Sequence, residues 1–413
     1  MLNSLFSRTA RNAKHMLKHV HKILSSQRDV LSSEAIRNVE GATKELRDAL
    51  KGPYDKKLIQ SKMDGLENSA NKWLKAYPNP GLRENIEVLL VAIAVAMGIR
   101  TFFVQPFKIP TGSMQPTLFG ITSNPDFSRS VAFAQDTKPD PNFEIPNPVQ
   151  SFLSFWSSGI SYTHVVAKAD GAIQAFDENP QRFLLFNLKQ RFVIGNQSYT
   201  VWFPPENMLK RAGLLNYYGQ MNPKVFKAGE DIMRLKVISG DHLFVDRVSY
   251  NFRRPTLGEI IVFETKGIPT LPPDQFYIKR LVGLNGAKVK IGNDRHISLD
   301  DHKLDKTTPH FENVYSFDPS QPPRESTYSG HLNETTAREN GLFSLAPQFP
   351  DENHEFQLRP NHYIVMGDNT VNSSDSRTWG DFPRENVIGK SFFVYWPIGR
   401  QENRPSRFGW GHR

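Results

Sequence analysis

The chain has 413 residues, a length that allows two or three domains or one domain with large insertions. It contains no cysteine, which excludes disulfide scaffolds, cysteine nucleophiles and thiolate-bound zinc or iron–sulfur clusters. The net charge is +9, and +7 of it lies in residues 1–85, which hold 16 basic and 9 acidic residues. A basic segment of this kind is compatible with nucleic acid, anionic lipid or orientation across a membrane.

Residues 1–28 contain no acidic residue, and their apolar side chains recur at helical spacing between lysines and arginines. This pattern predicts a basic amphipathic helix within a helical cytoplasmic region, residues 1–85. Three interpretations stay open: a helix packed on residues 30–75, a helix at a membrane surface, and an organellar transit peptide. His15 and His19 have metal-ligand spacing on a helix, but without a third ligand a solvated face is favoured.

A hydrophobic segment follows, with an uninterrupted apolar run of 12 residues from Val88 to Ile99. This run is shorter than the ~20 residues that span a bilayer, so a buried core helix is one interpretation. Arg100 could extend its charge to the membrane surface, and the phenylalanines after it prolong the apolar stretch. We predict a membrane-spanning helix over residues 86–107, with the basic region on the cytoplasmic side.

From residue 108 onward, short β-branched and aromatic runs alternate with clusters of Pro, Gly, Asn and Asp. This alternation is typical of strands joined by turns. We therefore predict a mainly β domain over residues 108–400, followed by a basic tail at 401–413. Residues 121–235 and 300–355 have the composition of loop-rich insertions within that domain.

Two segments carry residue types suited to nucleophilic catalysis. In residues 110–118 (PTGSMQPTL), Ser113 lies on a turn between prolines, where its hydroxyl could meet a substrate carbonyl. In residues 277–286 (YIKRLVGLNG), Lys279 alternates with apolar residues along a predicted strand. A lysine on the buried face would lose hydration and its pKa would fall, so the neutral amine could accept the serine proton. Each signal alone is weak, because serine turns and surface lysines are common.

Two polar segments are rich in turn residues. In residues 365–380 (VMGDNTVNSSDSRTWG), Asp375 and Arg377 are spaced to form an ion pair that braces a loop, and Ser373 could hydrogen-bond a nearby amine. The acids are too few for an EF-hand calcium loop. The other segment begins at Ser239 and continues as a predicted strand. Its acid–base candidates, which we interpret as structural turn residues, are Asp241 and His242.

Behind a hydrophobic anchor and in this order, these segments closely resemble the motifs of bacterial type I signal peptidases. Four motifs match: the nucleophile motif PSGSMxPTL at residues 110–118, the Gly-Asp strand motif at 240–250, the lysine motif KRVVGLPGD at 279–287, and the motif GDN…NSxDSRxWG at 367–380. Asn285 and Ala287 replace the usual Pro and Asp of the lysine motif, which leaves the geometry of that turn open.

The resemblance implies a mainly β catalytic domain with the coiled antiparallel β-fold of signal peptidases and an N-terminal transmembrane helix. The helical basic N-terminal region is predicted from the sequence pattern, and its length is unlike the simplest members of the family. The resemblance also implies Ser113 as nucleophile, Lys279 as general base and Ser373 as the residue that orients the lysine amine. Four further residues would serve the same site: Thr111 as an oxyanion donor beside the Ser113 N–H, Asp375 and Arg377 as a supporting ion pair, and Met114 near the substrate cleft.

The implied activity is a Ser–Lys endopeptidase that removes signal peptides from exported preproteins, often after Ala-x-Ala, without a cofactor or metal. The implied location is the bacterial plasma membrane, with one span and the catalytic domain on the extracytoplasmic side. The implied partners are preprotein signal peptides, the lipid bilayer and the protein translocation machinery. Nucleic acid is not expected, because the basic region has few aromatic residues on which bases could stack.

Three alternatives stay open. A self-cleaving Ser–Lys protease of the LexA repressor type would need a DNA-binding helix-turn-helix pattern, which the sequence does not suggest. An organellar peptidase would share the chemistry and differ in location. A catalytically inactive membrane-anchored protein could hold preproteins or translocation partners, but the joint presence of Ser113, Lys279 and Ser373 argues against it.

Overall fold

The computed structural model describes residues 7–75, 80–131, 144–183, 186–315, 330–401, 404 and 406–410. The chain divides into two compact units, Met1–Ala94 and Val95–Arg413. Within the described residues, the helices are α1 (Arg8–Gln27), α2 (Ser33–Lys51), α3 (Lys56–Trp73), α4 (Pro80–Phe102), α5 (Pro148–Ser158), α6 (Met208–Arg211), α7 (Ser249–Phe252), α8 (Glu334–Glu339) and α9 (Ser376–Trp379).

The strands of the described residues all belong to the second unit. They are β1 (Val104–Lys108), β2 (Thr122–Asn124), β3 (Ile160–Val166), β4 (Gly171–Phe176), β5 (Gln181–Phe183), β6 (Phe186–Ile194), β7 (Gln197–Trp202), β8 (Val225–Phe226), β9 (Asp231–Ile238), β10 (His242–Asp246), β11 (Ile260–Glu264), β12 (Phe276–Leu284), β13 (Lys288–Ile291), β14 (Ile297–Leu299), β15 (His302–Lys303), β16 (Phe356–Gln357), β17 (His362–Met366), β18 (Phe382–Pro383) and β19 (Val387–Trp396).

In the first unit, α1, α2 and α3 pack their apolar faces together. Val20 on α1, Leu46 on α2 and Leu66 on α3 belong to one buried cluster. Because the apolar face of α1 is covered in this way, the interpretation of residues 8–27 as an ordinary packing helix is favoured over a membrane-surface helix. His15 and His19 lie on the exposed face, and the described residues contain no group of three His, Cys, Asp or Glu arranged to hold a metal.

Helix α4 differs from the prediction at both ends, since it begins at Pro80 and ends at Phe102 rather than spanning 86–107. The chain leaves the helix because Pro106 has no N–H to donate and disfavours helical geometry in the residue before it. Residues from Val104 therefore pair with β10 as strand β1. Over Glu84–Phe102, α4 is long and apolar enough to cross a membrane, and none of this segment is buried. In the structure this segment therefore does not pack as a buried core helix.

The main sheet of the second unit has seven antiparallel strands in the order β1-β10-β19-β11-β12-β17-β18. One face covers a cluster that includes Leu118, Leu243 and Val262. The other face covers a cluster that includes Phe263 and Phe382. This sheet confirms the prediction of a mainly β domain, and it places β12 between β11 and β17 near its centre.

The described residues of the 121–235 segment (121–131, 144–183 and 186–235) are not loop-rich, contrary to the prediction. They contribute to a three-stranded sheet, β2-β9-β3, and form a five-stranded sheet in which β6 is central, around a buried cluster of their own. The pattern was hard to recognise because Gln190 occupies a buried position on β6 and donates to the Asp177 carbonyl at 2.9 Å. A polar residue at such a position interrupts the apolar alternation that predicts a strand.

Residues 300–355 contain long loops, but the part that is described is not peripheral. Phe311 and Phe349 are fully buried and pack with Val282 and Ile364 of the main sheet. The basic tail is also integrated, because the buried Arg407 binds Asp241 and Gly409 pairs with Val394 of β19. Composition alone could not reveal this packing, since it depends on which separate segments meet; Arg407 and Asp241, for example, are 166 positions apart.

Candidate active site

The turn that carries Ser113 is fixed by backbone and amide contacts. Residues Gly112–Met114 form a single 3₁₀ turn. The N–H of Asn369 donates to the Ser113 carbonyl at 3.0 Å, and its side-chain amide donates to the Gly112 carbonyl at 2.9 Å. A Cβ at Gly367 would collide with the Ser113 carbonyl oxygen and the Ser373 hydroxyl. The Gly-Asp-Asn turn therefore clamps the serine turn, and only glycine fits at its first position.

Lys279 lies on β12 opposite Ile261 of β11, and 4% of it is exposed. Its Nζ donates to Ser113 Oγ at 2.7 Å and to the Ile278 carbonyl at 3.1 Å. Burial lowers the pKa of Lys279 from its ordinary 10.5 to about 8, although the carboxylates of Asp375 and Asp368 act to raise it. The structure thus brings a lysine that deprotonates readily into hydrogen-bond contact with a serine 166 positions away.

A buried ion pair, which the sequence reasoning missed, joins three of the motifs. The Arg280 guanidinium binds the Asp368 carboxylate through two hydrogen bonds, Nε–Oδ1 at 2.7 Å and Nη2–Oδ2 at 2.6 Å. The Thr117 hydroxyl donates to the same carboxylate at 2.5 Å. Each of the three residues lies within a matched motif, so its position was visible in the sequence. Which charges pair was not visible, because the pairing depends on how distant strands meet.

The second buried ion pair, between Asp375 and Arg377, forms as predicted, with both side chains fully buried. Burial by itself would raise the pKa of Asp375, but the Arg377 guanidinium and the Gly367 N–H lower it. Arg377 also donates to the Thr370 hydroxyl at 2.6 Å. The pair therefore fixes the loop that carries Ser373.

Two predicted site residues are placed differently from expectation. Ser373 is buried next to Gly367, but among the described residues the lysine amine donates only to Ser113 and Ile278, so Ser373 does not hold it. Met114 is fully buried in the cluster with Leu118 rather than facing a cleft.

Thr111, which the resemblance implies as an oxyanion donor, lies close to Ser113. Its hydroxyl lies 3.4 Å from Ser113 Oγ. This distance leaves the Thr111 side chain beside the space that a substrate carbonyl would occupy. Together with the backbone N–H of Ser113, it is a candidate donor for a developing oxyanion.

Asp241 and His242 take structural positions, as interpreted from the sequence. Asp241 is fully buried, accepts from the Phe119 N–H at 2.7 Å and pairs with Arg407. His242 packs its ring on Trp396, and burial lowers its pKa to about 4. A neutral, packed imidazole of this kind supports the sheet. Among the described contacts of Asp241 and His242, none is with Ser113 or Lys279.

The turn after β12 shows how the chain accommodates Asn285 in place of the usual proline of the lysine motif. Asn285 and Gly286 have φ values of +59° and +76°. Two consecutive positive φ values are those of a type I′ turn, in which Asn-Gly is strongly preferred. Proline could not adopt the Asn285 conformation, since its ring fixes φ near −65°. The replacement therefore changes the turn and leaves Lys279 in register.

The sequence profile of the family described as "Signal peptidase, peptidase S26" matches residues 82–122 and 226–396, about half of the chain. The unmatched residues between these segments correspond to most of the insertion predicted at 121–235. The matched segments include Ser113, Lys279 and the strands of the main sheet. The chain belongs to the signal peptidase S26 family.

Among individual relatives, the chain is 28% identical to a signal peptidase I of Leptolyngbya laminosa, over 39% of this chain and 62% of that protein. It is 30% identical to a probable signal peptidase I-1 of Synechocystis sp., over 41% of this chain and 69% of that protein. A solved signal peptidase I from Enterococcus faecalis aligns with 33% of this chain and 97% of its own, at 21% identity and a TM-score of 0.24. The chain spans about three fifths of the length of several of the curated relatives it matches.

Proposed function

We propose that this protein is a membrane-anchored serine endopeptidase that removes N-terminal signal peptides from exported preproteins. The observation that carries the proposal is the 2.7 Å contact between Lys279 Nζ and Ser113 Oγ in a buried setting. Burial disfavours the ammonium form, so a useful fraction of Lys279 is a free amine near neutral pH. A free amine at this distance can act as a general base toward the hydroxyl.

In the proposed reaction, Lys279 is neutral and the Ser113 hydroxyl donates its hydrogen bond to the lysine nitrogen. The amine then accepts the Ser113 proton. Ser113 Oγ attacks the scissile carbonyl, and the Ser113 N–H and Thr111 hydroxyl stabilise the oxyanion. The Lys279 ammonium returns its proton to the leaving amine. A water molecule, deprotonated by the same lysine, then hydrolyses the acyl-enzyme and releases Ser113.

Two buried ion pairs would act by positioning. The Arg280–Asp368 and Asp375–Arg377 ion pairs hold the loops that flank the dyad, and their carboxylates influence the lysine pKa.

We place the protein in the bacterial plasma membrane with α4 as its single span and the catalytic unit outside. The apolar, exposed face of Glu84–Phe102 supports a span, and the basic residues 1–85 support a cytoplasmic N-terminus. The partners would be signal peptides, the lipid bilayer and the translocation machinery. Protease added to sealed, right-side-out membrane vesicles should degrade the catalytic unit and leave the first three helices protected. The reverse pattern would refute this topology.

The decisive experiment uses the full chain in detergent with a preprotein that carries an Ala-x-Ala site. Wild type should cleave it, whereas Ser113→Ala and Lys279→Met should not. Ser374→Ala, an exposed serine in the Ser373 loop, and Lys266→Met, an exposed lysine, are matched controls and should retain activity. Equal cleavage by all variants would refute the dyad. Preprotein that binds wild type without being cut would favour the inactive binding protein instead.

A further inference from the structure

A pocket of about 380 Å³ opens beside the serine turn, and we call it the insertion pocket. One wall is the turn itself, with Thr111 and Gly112, and a second includes Asn372, next to Ser373. Most of the remaining wall comes from inserted residues that the family profile does not match. The insertion residues with charged side chains in this wall are Asp126, Arg129, Glu206 and Arg211.

The charged side chains that line the insertion pocket differ in whether they form an ion pair. Arg211 binds Asp126 at 2.6 Å. Glu206 binds Lys108 of β1 at 2.9 Å. Arg129 instead donates to the neutral side-chain amide of Asn372 at 2.9 Å and forms no ion pair with a carboxylate in the part of the chain that the structure describes. Among the described residues, Arg129 is therefore the charged group of this pocket wall that has no partner of opposite charge.

Arg129 is held by a well-anchored loop rather than by a free surface strand. The Phe127 N–H donates to the Arg211 carbonyl, and the Tyr217 N–H donates to the Ser130 carbonyl at 2.8 Å. Because these contacts lie on both sides of Arg129, its backbone position is fixed before any substrate arrives. A charge that is already positioned loses little entropy on binding, which makes it suitable for recognition.

From this geometry we propose that the insertion pocket binds an acidic side chain of the substrate on the mature side of the scissile bond, selected by Arg129. The inference depends on the proposed function and adds to it a substrate preference. Signal peptides place small residues before the cleavage site and an apolar segment further upstream. A polar pocket with an unpaired guanidinium does not suit those residues, whereas it complements a carboxylate in the first residues of the mature protein.

The test compares preproteins that differ at one residue, with Glu, Gln or Lys at each of the first three mature positions. At one of these positions, kcat/KM for wild type should fall from Glu to Gln to Lys, by about fivefold at each step, as expected for a partly exposed ion pair. The difference should appear mainly in KM. Arg129→Glu should reverse the order, and Arg129→Gln should remove the preference for Glu. Arg191→Gln, an exposed arginine elsewhere in the insertion, should keep the wild-type order.

The outcomes separate the two proposals. Cleavage of all substrates with no charge preference, or a preference that persists in Arg129→Glu, would overturn the role of the insertion pocket and leave the peptidase proposal intact. Failure of wild type to cleave even the Gln substrates would overturn the proposed function, and the pocket assignment with it. Reversal of the order by Arg129→Glu would support both.

Discussion

The pH dependence of cleavage follows directly from the position of Lys279. With a pKa of about 8, about 9% of the lysine is neutral at pH 7 and about 91% at pH 9, so kcat/KM should rise about tenfold over this interval. From pH 6 to pH 7 it should rise about tenfold again, and above pH 9 it should be nearly constant. The sign is positive throughout, because the deprotonated amine is the active form.

The assay is cleavage of an uncharged peptide substrate under kcat/KM conditions, since this parameter reports the free enzyme. Ser113→Ala supplies the background rate, and circular dichroism at each pH confirms that the fold persists. A break in the profile near pH 10.5 would mean that Lys279 is solvated like an ordinary lysine. A flat profile would mean that another group accepts the serine proton, and either result would refute the reasoning.

Three other changes have expected outcomes that the structure fixes. Thr111→Val should lower kcat by about 100-fold through loss of an oxyanion donor, whereas Thr111→Ser should retain most activity in the same cleavage assay. Equal activity of the two Thr111 variants would contradict this role. Lys279→Met should raise the unfolding free energy at pH 7 by up to about 3 kcal/mol, because the wild-type fold buries a lysine whose pKa is depressed. This gain in stability should shrink as the pH rises from about 8 towards 10.5, where the lysine of the unfolded chain also becomes neutral. Thermal unfolding at several pH values measures the gain. Asp368→Asn should destabilise the second unit by about 3–5 kcal/mol, since it leaves Arg280 buried without its counter-charge, whereas Glu355→Gln at a surface pair should change stability by less than about 1 kcal/mol in chemical denaturation.

The order of the four motifs, and the residue types within them, could be read from the sequence and sufficed to indicate the family. The mainly β second unit and one apolar helix were also predictable, because strand and helix periodicities are local properties. The bounds of the apolar helix were wrong by several residues. Hydropathy continued through Phe107, whereas the backbone changed to a strand as soon as β10 offered hydrogen-bond partners.

Within the site, Ser113 and Lys279 were singled out from the sequence, and the fold brings their side chains into contact. The pairing of Arg280 with Asp368 could not be predicted, because many arginines and aspartates in the chain were equally available. Likewise, Ser373 was expected to hold the lysine, but its position depends on the close approach of Gly367 to the serine turn. Such contacts are decided by packing at the level of single atoms.

The sequence by itself therefore determined the family, the two residues of the candidate dyad and the presence of a basic region followed by an apolar helix. Only the tertiary structure decided that residues 121–235 form a folded body that walls a pocket beside Thr111, and that the basic tail returns to bind Asp241. The reason is physical. Local patterns encode the conformation of a segment, whereas burial, the lysine pKa and ion-pair partners arise from segments that are distant in sequence and meet only when the chain folds.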